Sequence, residues 1–82
     1  MTDAEKENAE MIAVIKEALA NAIKADDRDM IRIAGEDLNG LGGRVLMKRV
    51  LDEVAESYDD PEYGRVCSMV DHAWDGIGDW VA

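Results

Sequence analysis

The stretch Asn39-Gly40-Leu41-Gly42-Gly43 decides the fold, because it places three glycines within five residues. Glycine in a helix costs up to about 1 kcal/mol relative to alanine, so this stretch predicts a break between two helices. Asn39 and Gly40 also readily adopt the left-handed conformation that ends a helix. The same dipeptide is a hairpin signal when it lies between two strands. The segments on either side therefore decide between an all-helical and a mixed fold.

The segments that flank this stretch favour helices. After it, a helix is predicted at about residues 43–57, with an apolar stripe of Val45, Leu46, Val50, Leu51, Val54 and Tyr58. Before it, Asp26 and Asp27 are N-cap candidates for a helix that runs to about Leu38. Ile31-Arg32-Ile33 alternates like a strand, and Gly35 weakens the helical pattern. An α+β fold with a hairpin across residues 30–51 therefore stays open as the alternative.

Two further helices lie outside this central pair. Thr2 and Glu5 form a capping-box pattern that opens a helix at about residues 3–24, with apolar positions Met11, Ile15, Ala18, Leu19, Ala22 and Ile23. Asp60-Pro61-Glu62 predicts the next start, with Asp60 as the N-cap and Pro61 in the first turn. The stripe that follows is Tyr63, Val66, Cys67, Val70, Trp74, Ile77 and Val81, with fraying or a kink expected near residue 76. We therefore predict an all-α fold, a compact four-helix domain with short connections that spans residues 1–82.

The charge of the chain is its strongest functional signal. Nineteen acidic side chains stand against nine basic ones, for a formal net charge of −10 on 82 residues. Six of the carboxylates lie in residues 59–82, where Arg65 is the single cation. Like charges repel and cost stability, so their concentration indicates an external use. Negative charge disfavours direct binding to nucleic acid or anionic membranes, and it predicts a basic protein surface as the partner.

The last predicted helix carries the candidate interface. Asp71, Asp75 and Asp79 recur at spacings of four, which places them about 6 Å apart along a helix axis, close to the phosphate spacing of a nucleic-acid strand. Asp59, Asp60 and Glu62 add charge at the other end of the same helix. The functional hypothesis is that these six residues occupy an Arg/Lys-lined groove. The alternative is a solvated acidic face that serves solubility.

A second candidate contact surface is apolar. On the predicted helix, Trp80 and Met69 lie on the flank opposite the Asp71 ladder. An exposed Trp with Met beside it is typical of an interface anchor in a helical interaction module or homodimer. The alternative is that Trp80 covers the open end of the bundle.

Several function classes are disfavoured. One cysteine, Cys67, excludes an internal disulfide and fits a reducing, cytoplasmic compartment. One histidine, His72, lacks the partners of a metal site, and the glycine stretch lacks the Gly-Lys-Ser/Thr ending of a phosphate-binding loop. No apolar run is long enough to span a membrane. We therefore expect no enzyme activity, no cofactor and no bound metal, in a monomer or homodimer.

The overall profile resembles small acidic phage-encoded inhibitors, particularly anti-CRISPR proteins and other DNA mimics. The resemblance is one of class, carried by a short, acidic, cysteine-poor chain without catalytic motifs. It implies a stoichiometric inhibitor that binds a CRISPR effector or another DNA-binding protein in the host cytoplasm and blocks access to nucleic acid.

Overall fold

The computed structural model describes residues 3–82, with side chains from residue 8 onward, and it forms three helices in this range: α1 (Asp3–Lys24), α2 (Arg28–Ala55) and α3 (Glu62–Trp74). Residues 3–82 contain no strand, so the all-α class is confirmed and the hairpin across residues 30–51 is wrong. The predicted number of four helices is also wrong. The capping box at Thr2 and Glu5 lies outside the described side chains.

Helix α2 contains both of the central predicted helices and bends sharply between them. Residues 39–42 are helical, and the whole interruption falls on Gly43, whose φ of 68° and ψ of −161° are not helical. A positive φ costs glycine little because it lacks a Cβ. The glycine-rich stretch was therefore identified correctly as a weak point, but it produces a bend at one residue rather than a five-residue connection.

The two arms of α2 pass α3 in opposite directions. In the first arm, Ile31 contacts Trp74 through a hydrogen bond, and Asn39, further along, lies against Gly78. In the second arm the order is reversed. Val45, near the start of this arm, lines a groove with Trp80, whereas Asp52, near its end, lies close to Tyr63 at the start of α3. The bend at Gly43 therefore wraps α2 around α3.

The α1–α2 connection is short, and its cap matches the sequence prediction. The carboxylate of Asp27 accepts a hydrogen bond from the backbone N–H of Met30 at 3.2 Å, so Asp27 is the N-cap of α2. Asp26 before it has a φ of 53°, a left-handed conformation that Asp tolerates better than most residues. At α3 the prediction was wrong: the helix begins at Glu62, Pro61 occupies the cap position, and no side chain caps it.

Trp74 is the centre of the core. Its side chain is fully buried, and its indole Nε1–H donates to the carbonyl oxygen of Ile31 at 2.7 Å. Gly35 faces the same ring, and a Cβ at that position would overlap the indole. Gly35 therefore allows α2 to approach α3 closely. The other large, fully buried side chains are Leu19, Ile31, Leu38, Met47, Val50, Val66 and Val70.

The C-terminal segment is not helical, contrary to the prediction that the last helix continues towards Val81. Helix α3 ends at Trp74, and Gly76 and Gly78 then take positive φ values of 89° and 55°. The N–H of Gly76 donates to the carbonyl of Trp80 at 2.9 Å, which closes a tight turn. These two glycines reverse the chain, so Trp80 packs back onto the core and Val81 is exposed.

Across residues 3–82, no helix is both long enough and apolar enough to cross a membrane.

Candidate partner-binding surfaces

The acidic residues of the C-terminal third form two groups, at opposite ends of α3. Asp59, Asp60 and Glu62 are exposed at its start, and Asp71, Asp75 and Asp79 lie at or beyond its end. A helix of 13 residues is about 20 Å long, which separates the two groups. The structure therefore does not bring these six predicted interface residues together into one stripe.

Asp71 has a structural role. Its side chain is half-buried, and Oδ1 accepts a hydrogen bond from the indole Nε1–H of Trp80 at 2.8 Å. A carboxylate acceptor makes this bond stronger than one between neutral groups. Asp71 thus anchors the reversed C-terminal segment to α3.

Asp75 and Asp79 do not continue a helical ladder from Asp71, because the helix has already ended. Asp75 Oδ1 accepts a hydrogen bond from the backbone N–H of Ala82 at 3.1 Å, whereas Asp79 is exposed. Arg32 donates to the backbone carbonyls of Ala73 and Asp75 at 3.0 and 3.1 Å. A cation therefore lies at this end of α3, and it reduces the negative potential there.

The ion pairs of the described side chains all lie on α1 and α2. Three carboxylates take part, those of Glu36, Asp52 and Glu53, at N–O distances of 2.7 to 4.0 Å. No carboxylate of residues 59–82 forms an ion pair with a side chain that the structure describes. In this segment, the residues exposed to solvent include Asp59, Asp60, Glu62 and Asp79.

The predicted apolar surface around Trp80 is not formed. Trp80 is only 6 % exposed, and its ring meets that of Trp74 edge-to-face, with centroids 5.0 Å apart and an interplanar angle of 86°. Such a pair is worth about 0.5–1.5 kcal/mol beyond the area that it buries. Met69 is half-buried and lies on a different surface, beside Arg65 and His72. Trp80 therefore closes the end of the bundle, which was the alternative interpretation of the sequence.

Two grooves were not anticipated from the sequence. The first, here called the acidic-rimmed groove, lies between α1 and the first arm of α2 and has a volume of about 770 Å³. Its floor consists of Met11, Val14, Ile15 and Leu41, and its rim carries the carboxylates of Glu10, Glu36 and Asp37. Helical periodicity placed Met11 and Ile15 on the apolar side of α1, which was expected to be buried. The groove was therefore not predicted.

The second groove, here called the basic-rimmed groove, lies between the second arm of α2 and α3, with a volume of about 670 Å³. Arg44 and Lys48 line it together with Asp71 and with apolar side chains, among them Val45, which is 82 % exposed. A hydrogen bond to Asp52 at 2.7 Å raises the pKa of Lys48 above its usual value. Lys48 therefore stays charged throughout the neutral range.

The remaining reactive side chains do not converge. Cys67 is half-buried beside Tyr63, and this neighbour raises the pKa of the Tyr63 phenol. His72 Nδ1 lies 2.7 Å from the backbone carbonyl of Ser68 within its own helix. Among the described residues, no three His, Cys, Asp or Glu side chains cluster in a way that would hold a metal.

Comparisons with known proteins returned no match of this chain to a family model, to a curated protein or to a solved structure.

Proposed function

We propose that this protein is a stoichiometric inhibitor that docks an acidic surface onto the basic groove of a nucleic-acid-binding protein. One observation carries the proposal: six carboxylates of residues 59–82 form no ion pair with any described side chain. Unpaired surface carboxylates repel one another. A cationic partner surface attracts them and offsets this repulsion. An anti-CRISPR-like role, against a CRISPR effector in the host cytoplasm, is the specific form that the class resemblance supports.

Four of the six carboxylates are available for the contact that we propose. Asp71 is committed to Trp80, and Asp75 to the backbone of Ala82. Asp59, Asp60, Glu62 and Asp79 are exposed, and their side chains make no hydrogen bond or ion pair in the described structure. These four are the residues that we expect to meet a partner cation. Solubility is the competing explanation of the same charge.

The alternative function, a helical interaction module, does not use Trp80 in our account, because that side chain is buried. Its support comes from apolar residues of α1 that remain exposed, Met11 and Val14.

The test compares two variants of equal net charge. The contact variant carries Asp59→Asn, Asp60→Asn and Asp79→Asn, and the control carries Glu17→Gln, Asp26→Asn and Asp29→Asn. Each is used as bait in a lysate of the native host, with elution in rising salt and identification by mass spectrometry. The purified partner is then assayed for nucleic-acid binding with the protein added at an equimolar ratio.

We expect the wild type and the control variant to capture a nucleic-acid-binding protein that moderate salt releases, and to block its binding to nucleic acid. The contact variant should lose at least about tenfold in affinity, because several charge pairs at one interface each contribute to binding. Equal capture by the contact and control variants would show that the charge serves solubility. Undiminished nucleic-acid binding by the saturated partner would contradict inhibition.

A further inference from the structure

Helix α1 contributes to the core unevenly along its length. Its buried positions are Leu19, Ala22 and Ile23, all in the last two turns, and of these only Leu19 is completely inaccessible. Earlier in the helix, Ile15 is half-buried, Met11 is 49 % exposed and Val14 is 68 % exposed. Single exposed apolar residues are ordinary, but a continuous apolar groove indicates a binding site. Ile12 and Ile15 pack partly against the core, whereas Met11 and Val14 present an apolar surface that nothing in the described chain covers.

The opposite wall of this groove contains a glycine that the fold does not explain. Gly35 makes room for Trp74, and Gly43 supplies a positive φ. Gly40 is helical, and a Cβ built on it meets no atom within 4 Å. Glycine at such a position costs roughly 0.5–1 kcal/mol relative to alanine with no packing gain. The open space beside Gly40 is part of the groove between α1 and α2.

The rim of the groove determines the charge of its occupant. Glu10 and Asp37 form no ion pair with a described side chain, and Glu36 pairs only with the exposed Arg32, at 3.5 Å. An exposed pair of this kind contributes little and yields to a better partner. A second copy of this chain would bring its own charge of −10 against the same carboxylates. Charge complementarity instead favours a cationic occupant.

We infer that the acidic-rimmed groove binds a basic amphipathic helix of a partner protein. The apolar side chains of such a helix, at spacings of three and four, fit between Met11 and Val14 on one side and Leu41 on the other. Its Lys or Arg side chains reach the carboxylates of Glu10 and Asp37 at the rim. This site lies on α1 and α2, so it is separate from the carboxylates of residues 59–82 and does not depend on the function proposed for them.

The test uses a synthetic 18-residue peptide of Leu and Lys with its leucines on one helical face, and a matched Leu/Glu peptide. Binding is measured by fluorescence anisotropy, and the contact surface by amide chemical shifts of the labelled protein. Val14→Glu places a charge in the apolar floor, and because that charge is negative it does not repel a basic peptide. Gly40→Leu fills the floor without changing the charge. Val45→Glu is the matched control in the basic-rimmed groove.

We expect the Leu/Lys peptide to bind and to shift amides in residues 10–15 and 36–41, and the Leu/Glu peptide not to bind. Val14→Glu and Gly40→Leu should each weaken binding at least about tenfold, as expected for loss of an apolar anchor, and Val45→Glu should not. The variant with Asp59→Asn, Asp60→Asn and Asp79→Asn should still bind the peptide, which separates this site from the proposed inhibitory surface.

Three results would overturn the inference. Unchanged affinity of Val14→Glu and Gly40→Leu would place the peptide elsewhere. Shifts confined to residues 59–82 would reveal attraction by net charge alone. A concentration-dependent mass of the wild type that Val14→Glu abolishes would identify a second copy as the occupant.

Discussion

Apolar residues are covered on one side of the first arm of α2 and exposed on the other. On the α3 side, Gly76 and Gly78 turn the chain back so that Trp80 packs on Trp74 and is held by Asp71. On the α1 side, Met11 and Val14 have the same helical spacing as core residues but remain exposed. Periodicity states which side of a helix is apolar, and the rest of the chain decides whether that side is covered. An apolar stripe that stays uncovered in so short a chain is therefore a candidate contact surface.

The largest expected effect is on the covered, α3 side. Trp80→Ala should lower the free energy of unfolding by about 3 kcal/mol, at the lower end of the range for a buried aromatic, because the terminal segment can fray instead of leaving a cavity. Val14→Ala on the exposed, α1 side should change it by less than about 0.5 kcal/mol. Urea unfolding followed by circular dichroism at 222 nm measures both without relying on tryptophan fluorescence. Equal losses for the two variants would mean that the α1 side is also part of the core.

A pair of glycine substitutions sharpens the comparison. Gly35→Ala should destabilise the fold by about 1–3 kcal/mol, because the added Cβ overlaps the Trp74 ring. Gly40→Ala should stabilise it by roughly 0.5–1 kcal/mol, because the position is helical and has open space around it. Thermal unfolding of the two single variants gives the sign of each change. A destabilising Gly40→Ala would show that the groove floor is packed within the chain.

The smallest expected effect concerns the exposed pair of Lys48 and Asp52. The hydrogen bond between them raises the folded-state pKa of Lys48. The contribution of the pair to stability is therefore fully present below the unfolded pKa of 10.5, and it is lost as the pH rises through the folded value. For so exposed a pair, that contribution is under about 0.5 kcal/mol. Lys48→Met should therefore leave the free energy of unfolding at pH 7 nearly unchanged. It should also remove the small decrease in stability that the wild type shows above pH 10.5. A loss of several kcal/mol at pH 7 would contradict this role.

Much of the fold was predictable because local signals and tertiary packing agree. The extent of α1, the Asp27 cap and the all-α class follow from spacing and capping chemistry. The end of α3 was misplaced because Ile77 and Val81 continue a helical stripe, whereas the positive φ of Gly76 and Gly78 depends on the packing of Trp80. In the sequence, Gly35 only weakens a predicted helix. The structure explains it by the Trp74 ring, 39 positions later in the chain, which leaves no room for a Cβ.

The candidate sites were harder to predict than the fold. The Asp71, Asp75 and Asp79 ladder depended on a helix that ends at Trp74, so an error in one boundary changed the roles of all three carboxylates. The acidic-rimmed groove was missed because an amphipathic pattern looks the same whether its apolar side is buried or exposed. Gly40 gave no local signal of the groove, because the sequence pattern placed it between two predicted helices and the structure places it inside α2.

Amide hydrogen exchange of the free protein tests most directly whether the α3 side of the first arm of α2 is covered and its α1 side is open. Helical amides that few tertiary contacts support open locally and exchange faster than those of the core. We predict that amides of residues 10–15 in α1 exchange at least about a hundredfold faster than those of residues 66–74 in α3, whose exchange should approach the rate set by global unfolding. Equal protection of the two segments would contradict the account, because it would mean that the first half of α1 is held as firmly as the core.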